Sequence, residues 1–349
     1  MKNLIFISLI LIILFKTGNV FSDNNIFNVN NIEISQETSK NKEKLVNTAF
    51  KKAFNELINR LLMEEDYKRI SNVNLVQIKR LISYYQIVNE NKNSTNNNKI
   101  KFNVFFDKDR MHSFFYNQDL LYSDIINTEV ILFPLLKKKD QYFIYTKNYF
   151  YENWNEETFD NLIQYTLPAE NIENIQKINS NKTNIYKLKV ADFFKEYEKD
   201  NIVFANIEIN KNSAEVFLST RIEGKKINKN LSINKRKENF DEKNFYKEII
   251  LEINNTVKDL IKSQNLIDVK TPSFLNVEIQ LNKKSNLVEF SNRLNRIDLI
   301  DNFYVQELNK DYVMIKIKYL GKINKIISKL KDEKIDLKMI AGQWQLKII

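Results

Sequence analysis

Hydrophobic and polar positions along this chain change period several times, and each change marks an element. Leu45, Val46, Ala49, Phe50, Ala53, Phe54, Leu57, Ile58, Leu61 and Leu62 recur at steps of three and four. That spacing places them on one broad face of a helix of about five turns, with Ser39 as its cap. Glu64-Glu65-Asp66 then reads as the following loop, because carboxylates at a helix carboxyl end oppose the dipole. Upstream, Phe27, Val29, Ile32 and Ile34 form a first strand with Asn30-Asn31 as a bulge. Downstream, Leu75, Ile78, Leu81, Ile82 and Tyr85 predict a second helix over about 74–88, and a polar surface loop follows over 89–99.

Ile100, Phe102, Val104 and Phe106 alternate with Lys101, Asn103 and Asp107, the period of a half-buried strand. A short helix with Met111, Phe114, Phe115 and Leu121 comes next. Residues 130–136 are continuously apolar, as in a central strand covered on both faces, and 137–140 turn it back into a strand over 141–145. The order β-α-α-β-α-β-β defines a first α+β domain over 23–147.

Helices are expected over 156–165 and about 169–178, with Pro168 in the first turn of the second, and a brief one over 192–197. A three-stranded meander over 202–209, 214–223 and 226–233 follows, with turn chemistry at Asn210-Lys211-Asn212 and Gly224. A helix with Phe245, Ile249, Ile253, Val257, Leu260 and Ile261 at helical spacing closes a second α+β domain over 148–268. Beyond Pro272 the elements spell β-α-β-β-α-β, the split order of a ferredoxin-like domain over 269–349, with a final strand after a turn at Gly342. The fold class is therefore α+β, built from three small α/β units.

The first 22 residues pair Lys2 with an apolar run over 4–15 and a Val20-Phe21-Ser22 cleavage site, so the mature chain is expected to start at Asp23. That run is too short to cross a hydrocarbon core, which takes about 20 residues. The chain has no cysteine, which removes disulfides, a lipid-modified amino-terminal cysteine, thiol catalysis and sulfur-ligated zinc. Its net charge is +10, yet only eight of its 54 basic residues are arginine, and the lysines alternate with Asp and Glu. No basic stripe for nucleic acid results. Four glycines leave no phosphate-cradling loop, and the single histidine rules out paired-histidine metal sites. No cofactor is expected.

Candidate chemistry is sparse. Asp107 and Asp109 read either as an acid/base pair or as a strand end and helix cap. His112 reads either as a pH-sensitive contact or as an ordinary helix residue. Lys137-Lys138-Lys139 is a solvated turn or a weak contact to an anionic surface. Seven aromatics crowd residues 142–154, and Tyr145, Tyr149, Tyr151 and Trp154 are the candidates for binding a partner or glycan; packing between domains is the other reading. Sequons at Asn93, Asn181, Asn230 and Asn254 matter only in a eukaryotic secretory route.

Several of these residues together resemble a family of exported proteobacterial proteins known as domain-of-unknown-function family 2066. They are the leader, Ala49-x3-Ala53-x3-Leu57 ending in Asn59-Arg60-Leu61, Tyr84-Tyr85, the strand Phe102–Asp107 (FNVFFD) and the strand Val130–Leu136 (VILFPLL), where Phe133-Pro134 replaces a tryptophan-rich version. The resemblance covers the amino-terminal domain best. It implies export to the periplasm of a Gram-negative bacterium and no assigned activity. The resulting expectation is a soluble periplasmic, non-enzymatic adaptor in envelope maintenance, with an envelope protein as partner, no nucleic acid and no stable membrane anchor. The alternatives are a carboxylate-dependent envelope glycan hydrolase and an apolar-ligand binding protein.

Overall fold

The computed structural model describes residues 25–35, 41–88, 99–158, 162–182, 185, 193–194, 197, 201–235, 241–280 and 285–349. The leader with Ser22 and Asp23, the cap Ser39, residues 89–98 and residues 192, 195 and 196 of the brief helix expected over 192–197 lie outside them. The described chain is α+β with mixed sheets. It divides into two compact units, one holding residues up to 58 with 70–121 and 267–349, the other holding 59–69 with 122–266.

The chain runs through β1 (Asn28–Ser35), α1 (Lys42–Leu61), α2 (Glu64–Ile70), α3 (Leu75–Leu81), β2 (Ile82–Val88), β3 (Lys99–Phe106) and α4 (Lys108–Gln118). Strands β1, β3 and β2 form an antiparallel sheet with β3 in the centre. Every residue on the predicted face of α1, from Leu45 to Leu62, is buried. The bulge in β1 falls at Asn30-Asn31 as expected: the register shifts between Val29 and Ile32, and Asn31 takes a φ of 62° that asparagine tolerates.

Two readings in this region are corrected. Glu64, Glu65 and Asp66 form the first turn of α2, where their charges meet the positive end of a helix dipole. The helix expected over 74–88 stops at Leu81. Residues 82–88 read Ile-Ser-Tyr-Tyr-Gln-Ile-Val, and this β-branched and aromatic run pairs with β3 from Ile82 opposite Phe106 to Val88 opposite Lys101.

The second unit adds β4 (Tyr122–Ser123), β5 (Thr128–Lys138), β6 (Gln141–Phe143), α5 (Tyr149–Glu157), β7 (Ile163–Thr166) and α6 (Ile172–Ser180). After these come β8 (Ile202–Ile209), β9 (Ser213–Ile222), β10 (Lys225–Asn234), α7 (Glu242–Gln264) and β11 (Leu266–Ile267). The meander is as expected, but it continues into β5, which runs parallel to β8, and then into β6. The boundary expected at 147 thus falls between strands and a helix of one unit. The helix expected over 156–165 is replaced by α5 and β7, and α6 starts at Ile172 with Asn171, not Pro168, at its entry.

Burial of β5 on both faces is as expected. Val130, Leu132 and Leu136 enter a core with Phe150 and Trp154 of α5 and Phe245 and Ile249 of α7, while Ile131, Phe133 and Leu135 enter another with Tyr145 and Ile178. One edge of β5 is paired along 131–138 with β8. On the other edge β7 takes 128–131 and β6 takes 136–138, leaving a gap. Pro134, with no N–H to offer a ladder, lies in that gap. The fully buried Asn148 fills it: Nδ2 donates to the carbonyls of Pro134 (2.9 Å), Phe143 (3.0 Å) and Ile144 (2.9 Å), and Oδ1 accepts from Phe150 N–H at 3.1 Å, capping α5.

The carboxyl-terminal elements are β12 (Ser273–Gln280), α8 (Ser285–Leu294), β13 (Ile300–Leu308), β14 (Tyr312–Tyr319), α9 (Ile323–Asp332), β15 (Ile335–Ile340) and β16 (Gln343–Ile348). The split order is present, with β14 between β12 and β13. Strand β16 enters parallel to β12 and separates it from β15, giving the order β13-β14-β12-β16-β15. Ala341 (φ 49°) and Gly342 (φ 84°) form the two-residue turn that makes this hairpin possible. Within the first unit Lys108 Nζ donates to the Ile300 carbonyl at 2.9 Å and Lys270 pairs with Asp119 at 2.6 Å.

Asn148→Ala is expected to cost about 3 kcal/mol, since it removes a helix cap and leaves buried carbonyls without a donor. Asn148→Asp should cost at least as much, because a carboxylate cannot donate. Urea unfolding followed by Trp154 fluorescence in a Trp344→Phe background checks both.

Candidate functional site

An open groove of about 810 Å³ lies in the first unit, between the amino-terminal half of α1 and strand β2. Helix α1 supplies Lys42, Glu43, Val46, Asn47 and Phe50, and the end of α3 supplies Lys79. Four consecutive residues of β2, Ile82, Ser83, Tyr84 and Tyr85, complete the wall. Tyr84 and Tyr85 sit opposite Phe105 and Val104 in regular register, so they project to opposite faces of the sheet. Their ring contacts agree. Tyr84 stacks on Phe105 (centroids 4.2 Å apart, planes 13°), while Tyr85 meets Phe50 of α1 edge to face at 5.2 Å.

Both tyrosines remain about 40% exposed, at 43% and 40%, which no other pair of neighbouring aromatics in the described chain matches. The side-chain oxygen of Asn47 is buried at the groove wall with no hydrogen-bond partner among the described residues. Lys42 and Lys79 are exposed, and Glu43 is the one carboxylate among the lining side chains. Sequence reading missed this site because it placed Tyr84 and Tyr85 at a helix end. The run Ile-Ser-Tyr-Tyr-Gln-Ile-Val carried the strand signal that would have found it.

The predicted aromatic candidates lie elsewhere. Trp154 (0% exposed) and Tyr145 (3%) are buried, and Tyr149 and Tyr151 are half-buried. Trp154 packs edge to face on Tyr165 and Tyr145 edge to face on Tyr151, whose hydroxyl donates to the Pro168 carbonyl at 2.9 Å, while Tyr149 meets Tyr246 at a tilt. Tyr145 OH accepts from Asn174 Nδ2 at 3.1 Å, and burial raises its phenol above the usual range. Trp154 and Tyr145 thus pack inside the second unit, while Tyr149 and Tyr151 lie half-buried against the same cores. Trp154 and Tyr145, being enclosed, cannot meet a partner without opening that core.

The remaining candidates have local duties. Asp107 caps α4 by accepting from Arg110 N–H at 3.0 Å, and Asp109 is exposed in the first turn of the same helix. Lys137 pairs with Glu208 of β8 at 2.8 Å and Lys138 with Glu242 of α7 at 2.6 Å, so two of the three lysines hold carboxylates of the same unit. Asn254 is buried and accepts from Tyr165 OH at 2.8 Å, which leaves no room for a glycan there.

No family model, curated protein or solved structure matches the chain. Among the described residues no group of His, Asp and Glu could hold a metal ion, and no helix is long and apolar enough to cross a membrane.

His112 is buried in α4 with its ring edge-on to Phe27 at 5.5 Å. Burial, aided by the charge of Lys108, pushes its pKa down from 6.5 to about 4. A neutral imidazole is thus favoured in the folded state, so its contribution is complete above pH 6.5 and is lost as pH falls toward 4. The loss should reach about 3 kcal/mol at the low end. His112→Gln should flatten the fall in unfolding free energy between pH 6.5 and 4, as measured by urea titration at each pH.

Proposed function

We propose that the chain is an exported periplasmic protein that works by binding another envelope polypeptide, and that the groove between α1 and β2 is where it binds. The observation that carries this reading is the pair Tyr84 and Tyr85, two exposed aromatics on an open groove whose walls also present lysine and a buried, unpartnered amide oxygen. Tyrosine suits such surfaces because its ring contributes contact area while its hydroxyl stays wet. The expected leader and the family likeness support an envelope location. Glycan hydrolysis would need two carboxylates across a cleft, and Asp107 is engaged as a helix cap while Asp109 lies exposed on the same helix. An enclosed apolar ligand would need a closed cavity, and this groove is open.

N-terminal sequencing of the exported form should read from Asp23; a form that retains residues 1–22 would remove the export half of the proposal. A photo-crosslinking amino acid placed at Tyr84 or Tyr85 in living cells should give one discrete adduct, while the same residue at exposed Ile172 should not. No adduct at either tyrosine, with the protein normally exported, would overturn the binding half.

A further inference from the structure

We infer that the groove takes an extended segment of a partner polypeptide as an added strand on the free edge of β2, with an acidic side chain of that segment between Lys42 and Lys79. This rests on the binding role proposed above and specifies its ligand. Tyr84 and Tyr85 project to opposite faces of the sheet, yet both line one groove, together with Ile82 and Ser83. The register of β2 shifts between Ile82 and Tyr84, which lets Ile82 and Ser83 share a side, but Tyr84 and Tyr85 alternate regularly and share a groove only where it wraps the strand's edge. The edge in question is open: in the order β1-β3-β2, strand β2 has β3 on one side and no strand on the other among the described residues. A row of backbone donors and acceptors therefore faces the groove, which is what an incoming strand pairs with.

Side chains of an added strand alternate in direction, and the two faces are furnished for that. One side offers Tyr84 stacked on Phe105, the other Tyr85 against Phe50 with Val46 beside it. Charge selects the occupant. Neither Lys42 nor Lys79 makes an ion pair among the described residues, and they outnumber Glu43 at the rim. A second copy of this chain would bring two more lysines and no added net negative charge to the interface, on a protein of net charge +10. A partner segment with a carboxylate is favoured instead.

The test uses the full mature chain and a fluorescein-labelled peptide that alternates Thr and Val about a central Glu. It should bind, and it should slow amide hydrogen exchange along Ile82–Val88. Replacing its Glu by Lys, or methylating alternate backbone nitrogens, should each weaken binding by about tenfold or more. The variant Lys42→Glu with Lys79→Glu, both at exposed positions, should reverse the preference between the Glu and Lys peptides. Absence of binding, binding without protection of β2, or equal binding of the Glu and Lys peptides would overturn the inference. A dimer with β2 protected before peptide is added would overturn it in favour of a second copy. A crosslinked partner at Tyr84 with no peptide binding would sink strand addition alone, whereas loss of both would sink the binding role as well.

Discussion

The second unit is organised around one side chain, the amide of Asn148. Its central strand β5 is buried on both faces and must use both edges, yet it carries Pro134 where one edge has no strand to pair with. In an extended strand the N–H and C=O of a residue point to the same side, so the missing N–H of Pro134 and its unpaired carbonyl fall together in the gap. Asn148 closes the gap from the turn that follows β6, and the same amide starts α5. Fixing where α5 begins decides where the aromatics go. Phe150 and Trp154 reach the core shared with α7, while Tyr145 and Tyr151 remain with the opposite one. The crowding of aromatics over 142–154 is the consequence of a short segment serving two cores at once.

What was legible in the sequence was whatever a single element encodes by itself. The stripe on α1, the apolar run of β5 and the β1 bulge at Asn30-Asn31 are local patterns that the structure repeats, and in β3 Phe102, Val104 and Phe106 are buried as expected, with Phe105 buried on the other face as well. What was not legible depends on distant partners. The parallel pairing of β5 with β8 joins Ile131 to Ile202, and nothing near either residue records it. The insertion of β16 between β12 and β15 is likewise a matter of which edge is vacant. The switch from α3 to β2 failed for another reason. Leu75, Ile78, Leu81, Ile82 and Tyr85 keep helical spacing straight through the boundary, which masks the β-branched and aromatic run over 82–88 until pairing with β3 decides for the strand.

The candidate site was missed through that same ambiguity, while the aromatics chosen from sequence were filling cores. Aromatic density measures how much interior a segment must fill as readily as how much surface it offers. The two are separated by position in a sheet, which a sequence does not show. Tyr165 and Trp154 sit against each other inside; Tyr84 and Tyr85 have a sheet and a helix on one side only.

Edges of sheets attract other chains, and this protein blunts most of its own. Strand β10 carries Lys225, Lys226 and Lys229, β13 carries Asp301 and Glu307, β15 carries Asp336 and Lys338, and β1 carries Glu33. The edge strands β6 and β7 are only three and four residues long. Charge and shortness are the ordinary protections against unwanted pairing. Strand β2 has neither: its seven residues include no charged side chain and no proline, and its one irregularity is the register shift between Ile82 and Tyr84, which leaves the pairs from Tyr84 to Val88 regular. Its lysines stand instead on the neighbouring helices, where they leave the edge open to a backbone while repelling another copy of a basic chain. From Tyr84 to Val88 the edge is therefore the least guarded of the long edge strands among the described residues, which is the property strand addition requires.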